Sequence, residues 1–411
     1  MFGRNQLIDL RPPIVRFVDR FFLLIILALP FERAFIHDGQ GAFLQYIVIL
    51  FALLSLPFYR RYYAKWKLGI VFYLIFLLVG TFSDLRTTSL PLLRLIFVEM
   101  RVWIVFYLFI VAYNISRRHE HYARTLIKCL LIFSATVALF SISGIGIEEH
   151  AEGGVEGARM EVMGANLNGT ARDVSIFIFF AFLLFVNGIK LKWSKKLVLL
   201  LLSGASFFAL LRTGSRGGLL AMLCALPFVV FTTRNITKKV WYTLALTLAL
   251  IVMVLVVLNT PTIMDRLNKA YYEGDTGGRE GMFYLCLELW QGAKICGHGC
   301  FAYAFILGPA AKFGDALATH CTYTYAFMAA GAFGGLFYYL ALINIVWNAV
   351  RIRFRPYGNL LLLIVVMALL GGITMNIELT KWLYIVYGII LGYADLERRE
   401  RRYGPLPPVL R

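Results

Sequence analysis

Charge is confined along this chain to short clusters, and apolar runs of about 15–25 residues separate them, each long enough to cross a hydrocarbon core as a helix. That pattern constrains the fold more than any motif does. Of 411 residues, 60% are hydrophobic and 16% charged, whereas a soluble domain carries roughly a quarter charged residues. So few charges cannot cover so many apolar runs in water, which excludes a soluble globular fold. The formal net charge of +18 would suit a nucleic-acid partner, but the basic residues form no single patch or stripe. No nucleic acid is expected.

Twelve spans are read, at 17–35, 42–58, 68–83, 92–113, 126–144, 174–188, 196–212, 215–232, 240–259, 320–349, 359–377 and 381–395. The even connections are short and basic: Arg60, Arg61, Lys65 and Lys67; Arg117, Arg118, Arg124 and Lys128; Lys190 to Lys196; Arg234, Lys238 and Lys239; Arg351, Arg353 and Arg355. Both termini, with Arg4 to Arg20 and Arg398 to Arg402, belong to this set. The odd connections are poor in Lys and Arg, and one of them gathers Glu148, Glu149, Glu152, Glu156 and Glu161. By the positive-inside rule both termini are cytoplasmic. The first apolar run, Phe21 to Pro30, follows arginines as a signal peptide does, but Pro30-Phe31-Glu32-Arg33 offers no small-residue cleavage site, so it reads as an uncleaved span. The expected class is an all-α integral membrane protein, one polytopic domain over 1–411.

Two outer connections are long, Gly144 to Asp173 and Asn259 to Thr319, and long connections in compact folds usually carry function. Within the second, Arg279 to Ala293 holds Met282, Phe283, Leu285, Leu287, Leu289 and Trp290, which reads as a helix lying on the outer surface. Residues 260–319 are therefore expected to form a partly helical cap between spans nine and ten, over an outward-facing site.

Candidate site residues follow from ionisable groups at span ends, where burial is costly and function concentrates. Arg216, in Thr213-Gly214-Ser215-Arg216-Gly217-Gly218, stands where a tight turn opens a helix, a place suited to an anion. The alternative is that Arg212 and Arg216 only anchor helix ends at headgroups. Arg279 follows Thr276-Gly277-Gly278 in the same manner, or pairs with Asp275 or Glu280. Two arginines on one face suggest a phosphate or diphosphate ligand, which a planar guanidinium grips in two places. His320, in Ala318-Thr319-His320-Cys321-Thr322-Tyr323, is a candidate general base that nearby arginines would keep neutral, or an interfacial structural histidine. Asn166, Asn168 and Arg172 precede span six and suit sugar contacts, or form a plain loop. Arg94, Glu99 and Arg101 interrupt span four, neutralising one another or partner charges within the bundle, or extending a polar cavity. Cys296-Gly297-His298-Gly299-Cys300 invites a metal reading, but its spacing matches no common zinc arrangement; a disulfide among Cys286, Cys296 and Cys300 is the other option. No metal and no cofactor are expected.

The order of these pieces resembles the O-antigen ligase family and its relatives, the O-antigen polymerases and bacterial protein O-oligosaccharyltransferases. The similar elements are Gly164 to Thr170 before a span, Ser215-Arg216-Gly217-Gly218 at a span start, Thr276-Gly277-Gly278-Arg279 in a long outer loop, Gly297-His298-Gly299, and a His320-led span with a glycine run from Gly331 to Gly335. They cover roughly residues 164–340. The resemblance implies transfer of a glycan from undecaprenyl diphosphate to an acceptor at the periplasmic face of the inner membrane. Arg216 and Arg279 would then bind the diphosphate, more weakly aided by Arg212, Asn166, Asn168, Arg172, Arg94 and Arg101. His320 would take the acceptor proton, the anomeric carbon would invert, and no metal would be needed. The family's usual His-Asn pair is His320-Cys321 here, which leaves the role of that amide unfilled. The chain end soon after the last span sets the protein-glycosylating relatives aside, and the twelve spans with the single dominant outer loop look most like the ligase, whose acceptor is lipid A–core oligosaccharide, with the polymerase next. A transporter or flippase of lipid-linked glycans is the alternative of another class; it would often show repeated halves, and none are visible.

Overall fold

The computed structural model describes residues 12–31, 43–87, 92–150, 159–162, 167–186, 192–228, 230, 233, 235–259, 264, 268, 271–272, 279–312, 317–377 and 380–404. Fourteen helices dominate these residues: α1 Pro13–Ala28, α2 Phe43–Ser55 (continued by tight turns to Tyr62), α3 Leu68–Thr87, α4 Leu92–Ser116, α5 Glu120–Ser143, α6 Leu167–Val186, α7 Trp193–Arg212, α8 Arg216–Ala225, α9 Ile236–Leu258, α10 Arg279–Trp290, α11 Ala302–Ala310, α12 Thr322–Ile352, α13 Gly358–Gly371 and α14 Lys381–Tyr403. A small antiparallel hairpin, β1 Ile147–His150 with β2 Arg159–Val162, follows α5.

The described residues within the expected spans are mostly helical. Among the described residues six helical segments are long and apolar enough to cross a membrane: Leu44–Tyr62, Leu68–Thr87, Glu99–Ser116, Glu120–Ser143, Trp193–Arg212 and Thr322–Ile352. Others differ from the sequence reading for local reasons. The helix α8 has ten residues where the span 215–232 was expected, because Pro227 cannot continue the backbone ladder. The helix α13 ends at Gly371, not 377, and residues 372–377 turn away from it. The helix α6 opens at Leu167, so Asn168 and Arg172 occupy its first two turns and do not lie in a preceding loop.

The centre of the bundle is α14, buried from Lys381 to Ala394. Two glycines let it approach α4 closely: a Cβ on Gly388 would lie 2.5 Å from the Phe109 carbonyl oxygen, and one on Gly392 would lie 2.6 Å from that of Tyr113. Small residues at such a seam replace the hydrophobic drive that is missing between helices in lipid. The helices α3 and α12 form the second tight pair, with Tyr73, Phe76 and Tyr338 clustered between them (Phe76 to Tyr338 ring centroids 4.9 Å).

The basic connections collect at one end of the bundle, where they are tied to acids on the helices. Arg118 meets Asp19 at 2.6 Å, and Asp395 takes both Arg117 at 3.0 Å and Lys67 at 3.3 Å. The opposite end holds Thr87, Arg216, Thr322, Gly371 and Lys381, and the candidate site is built there.

Candidate functional site

Three segments meet at this end: the turn into α12, the turn 372–377 after α13, and the start of α8. His320 sits in the first. Its backbone is left-handed (φ +52°), a conformation that a side chain other than glycine adopts only when its surroundings enforce it. The enforcement is visible. Thr319, one residue before, donates through Oγ1 to Asn376 Oδ1 at 2.8 Å. Thr322, two residues after, donates through Oγ1 to the Met375 carbonyl at 2.9 Å, and its N–H donates to the Gly372 carbonyl at 2.8 Å. Both threonines are buried. The histidine is clamped on each side by the same turn while its own ring makes no hydrogen bond among the described residues.

That ring is available for chemistry. The residue as a whole is exposed, yet partial enclosure of the imidazole, and then the nearby Arg279 cation, lower its pKa from the ordinary 6.5. A neutral imidazole near pH 7 with an unspent ring nitrogen is what a general base requires. Arg279, half-buried at the first position of α10, is therefore within electrostatic reach of His320. The helix α10 is held against α12 by Trp290 on Phe327, ring centroids 5.1 Å apart, and by Cys286, which hydrogen-bonds Thr324. Burial pushes the Cys286 thiol up to about 12, so it is inert packing and not a nucleophile.

Arg216 approaches from the other side of the same turn. Ser215 caps α8, accepting from the Gly218 N–H at 3.0 Å, and its hydroxyl meets Asn168 Oδ1. Asn168 is thus engaged behind the arginine, holding its helix end. Gly217 has no room for a side chain, since a Cβ would lie 2.5 Å from Thr374 Oγ1. The backbone of Arg216 is accordingly held one residue from the turn that clamps His320, at the Ser215-capped start of a ten-residue helix. Arg172, 4% exposed, lies beneath: its Nη2 donates to Thr380 Oγ1 at 3.2 Å, and its Cδ is 3.8 Å from where a Gly371 Cβ would stand.

The turn 372–377 was read in the sequence as the end of the span 359–377, and it is the hub of the site. It also brings an amide next to His320. Asn376 accepts from Thr319 and donates to the Tyr303 hydroxyl at 3.4 Å.

Other candidates fall elsewhere. Arg212 is half-buried at the end of α7, its guanidinium 5.8 Å from the Phe208 ring centroid. Arg101 is exposed, near the start of the apolar segment Glu99–Ser116. Glu99 is turned away from it, accepting from Thr81 at 2.7 Å and facing the buried Asp84. Of the two structural alternatives, Glu99 takes partners elsewhere in the bundle and does not pair with Arg101, because residues two apart on a helix point in different directions. Asn166, Thr276-Gly277-Gly278 and the Arg94 side chain lie outside the described residues.

Cys296 to Cys300 packs against α12. Among the described residues no three His, Cys, Asp or Glu come together as a metal site, and all six cysteines are free. The segment instead fills a break in α12. At Gly331 (φ +63°, ψ −165°) the helical ladder is interrupted, and the freed groups pair with this segment: the His298 and Gly299 N–H groups donate to the Met328 and Ala329 carbonyls at 2.7 and 2.8 Å, while Ala332 and Phe333 donate to Lys294 and Ile295 at 2.7 and 3.1 Å. The His298 ring is engaged by the Leu289 carbonyl at 3.0 Å. The buried Asp84 then caps α11, accepting from the Ala302 N–H at 2.7 Å.

No protein-family model matches the chain, and no curated protein matches it.

Proposed function

We propose that this chain is a metal-independent, inverting glycosyltransferase of O-antigen ligase type, embedded in the inner membrane with both termini cytoplasmic. It moves a glycan from undecaprenyl diphosphate to lipid A–core at the periplasmic face. The observation that carries the reading is the clamped, unbonded His320 beside Arg279, with Arg216 fixed across the same turn. In the proposed reaction the acceptor hydroxyl loses its proton to the His320 ring as its oxygen attacks the anomeric carbon. The carbon–oxygen bond to the diphosphate breaks on the opposite face, which inverts the centre. The leaving diphosphate gains negative charge, and Arg216 and Arg279 offset that gain, a contribution typically worth about 10²–10³ in rate for a positioned donor. The proton leaves His320 with product or to solvent.

The test is a reconstituted transfer assay with purified protein, an undecaprenyl-diphosphate glycan and lipid A–core, using Arg216→Ala, Arg279→Ala and His320→Ala. One glycan block per acceptor, lost in all three variants, supports the ligase and its site. Lengthening of the donor's own glycan makes it a polymerase. Donor binding with no covalent product favours transport.

A pH profile tests the assignment of the base. Because the His320 pKa is lowered, transfer rises with pH through an inflection below 6.5 and is level above it. Arg279→Gln removes one of the two causes, so the inflection moves upward as the rate falls. An unmoved inflection assigns the titration to another group.

Chelation gives a further check. With guanidinium groups in the place a divalent cation takes in many sugar-diphosphate enzymes, transfer is expected to be the same with and without chelator. Loss that a divalent cation restores would count against the arginine assignment.

A further inference from the structure

The end of the bundle opposite the candidate site holds a cavity of about 590 Å³, between α5, α6 and the connection from α12 to α13. Its volume is within the usual range of small-ligand sites, about 300–1,000 Å³. Arg124, Arg353 and Arg355 line it together with Phe180, Leu183 and Asn359. Two of the arginines are matched: Arg124 pairs with Glu120, and Arg355 with Glu400. Arg353 is not matched by a carboxylate among the described residues. It donates through Nη1 to the Val350 carbonyl at 2.6 Å and lies over the Phe354 ring, 4.3 Å from its centroid, which leaves other guanidinium N–H groups for a ligand.

Two further features converge on an anion with an apolar tail. The helix α13 begins in this wall; its Gly358 N–H donates to the Arg355 carbonyl at 2.8 Å, but its cap, Tyr357 (φ +62°), makes no side-chain hydrogen bond to it, so the next N–H groups of this 14-residue helix have no side-chain cap. The remaining wall is hydrocarbon, with Phe180 stacked on Tyr357 at 6.3 Å and Leu183, Leu184 and Leu360 alongside. A wholly polar anion would leave that surface unused, whereas a phospholipid occupies both halves. Basic pockets between helices at a membrane's basic face bind anionic headgroups. The Asn359 Oδ1 atom is buried and has no hydrogen-bond partner among the described residues, an acceptor that suits a headgroup bearing hydroxyls.

We infer that this cavity binds one anionic phospholipid of the phosphatidylglycerol kind, its phosphate on Arg353 and the start of α13, its headgroup hydroxyls at Asn359 and its acyl chain along Phe180 and Leu183. The inference is independent of the function proposed above, since no part of the cavity belongs to the candidate site.

Native mass spectrometry of the detergent-purified full chain tests it, with phosphatidylglycerol, phosphatidylcholine or inorganic phosphate added. The expected result is retention of phosphatidylglycerol over phosphatidylcholine, reduced about fivefold by Arg353→Gln and largely kept by Arg353→Lys. A control, Arg60→Gln with Arg61→Gln, changes basic residues outside the cavity lining and is expected to change nothing. Both cavity variants leave the ion pairs of Arg124 and Arg355 in place, and an unchanged unfolding temperature without lipid certifies the fold. Equal retention of the two lipids, or equal loss in the control, would overturn the site. Displacement of phosphatidylglycerol by inorganic phosphate would assign the cavity to a soluble anion instead.

Discussion

Replacing His320 with alanine is expected to lower transfer by about 10²–10⁴-fold, the usual contribution of a positioned general base, while donor binding stays within a small factor of wild type. The separation follows from what the residue does and does not touch. Its ring carries no hydrogen bond among the described residues, so removing it orphans no partner. Its lowered pKa keeps it neutral near pH 7, so the field felt by a diphosphate is unchanged. Arg216 and Arg279, which would hold the donor, keep their supports: Ser215 and Thr374 for the first, α10 packed on Phe327 for the second. A complication is the left-handed backbone at φ +52°, which alanine resists. His320→Gly adopts it freely and separates the two causes. If the imidazole is the base, both variants are equally inactive, and added imidazole restores part of the rate in the glycine variant. A glycine variant that turns over normally would show that the position matters for its backbone alone. Equal loss of donor binding and turnover would return His320 to a structural role.

Much of the bundle was legible because its signal is local. An apolar run with basic punctuation identifies a helix wherever it sits, and the start of α10 at Arg279 is announced by the glycines before it. The assembly of the site was not legible, for a physical reason. The hydrogen bonds that make it join residues far apart: His298 to Met328, Thr319 to Asn376, Ser83 Oγ to the Cys296 carbonyl. Periodicity within one helix reports the face that helix buries and says nothing about a break satisfied by another segment. Gly331 to Gly335 therefore read only as a glycine run within a span, and Cys296 to Cys300 as a metal or disulfide candidate, although each completes the other. In the same way Gly372, Met375 and Asn376 were counted in the expected eleventh span, and only the fold shows that they clamp both sides of His320. Arg172 was singled out as a sugar contact from its place before a span, while the structure buries it beneath the turn.

The interlock between α12 and residues 294–299 makes Gly331 a sensitive position outside the site, and Gly331→Ala is expected to destabilise the protein by about 3 kcal/mol or more. Two penalties combine. The backbone at φ +63° disfavours any side chain, and an added Cβ would lie against the Ile295 carbonyl and 2.6 Å from the Cys296 nitrogen. Those atoms are backbone held by four hydrogen bonds, so they cannot swing aside as a flexible side chain would. Pushing them out leaves the Met328 and Ala329 carbonyls and the Ala332 and Phe333 N–H groups without partners, inside a bundle where water does not replace them. The segment also continues directly from α10, which carries Arg279, so its displacement separates Arg279 from His320 and transfer falls with stability. Gly204→Ala is the matched control: that glycine is exposed within α7, with nothing within 4 Å of where a Cβ would stand, and alanine there is expected to be neutral or stabilising by about 0.5–1 kcal/mol. Thermal unfolding in detergent compares the two. A Gly331→Ala protein that unfolds at the same temperature as Gly204→Ala, and still transfers glycan, would mean that α12 can run unbroken and that residues 294–299 do not hold the site together.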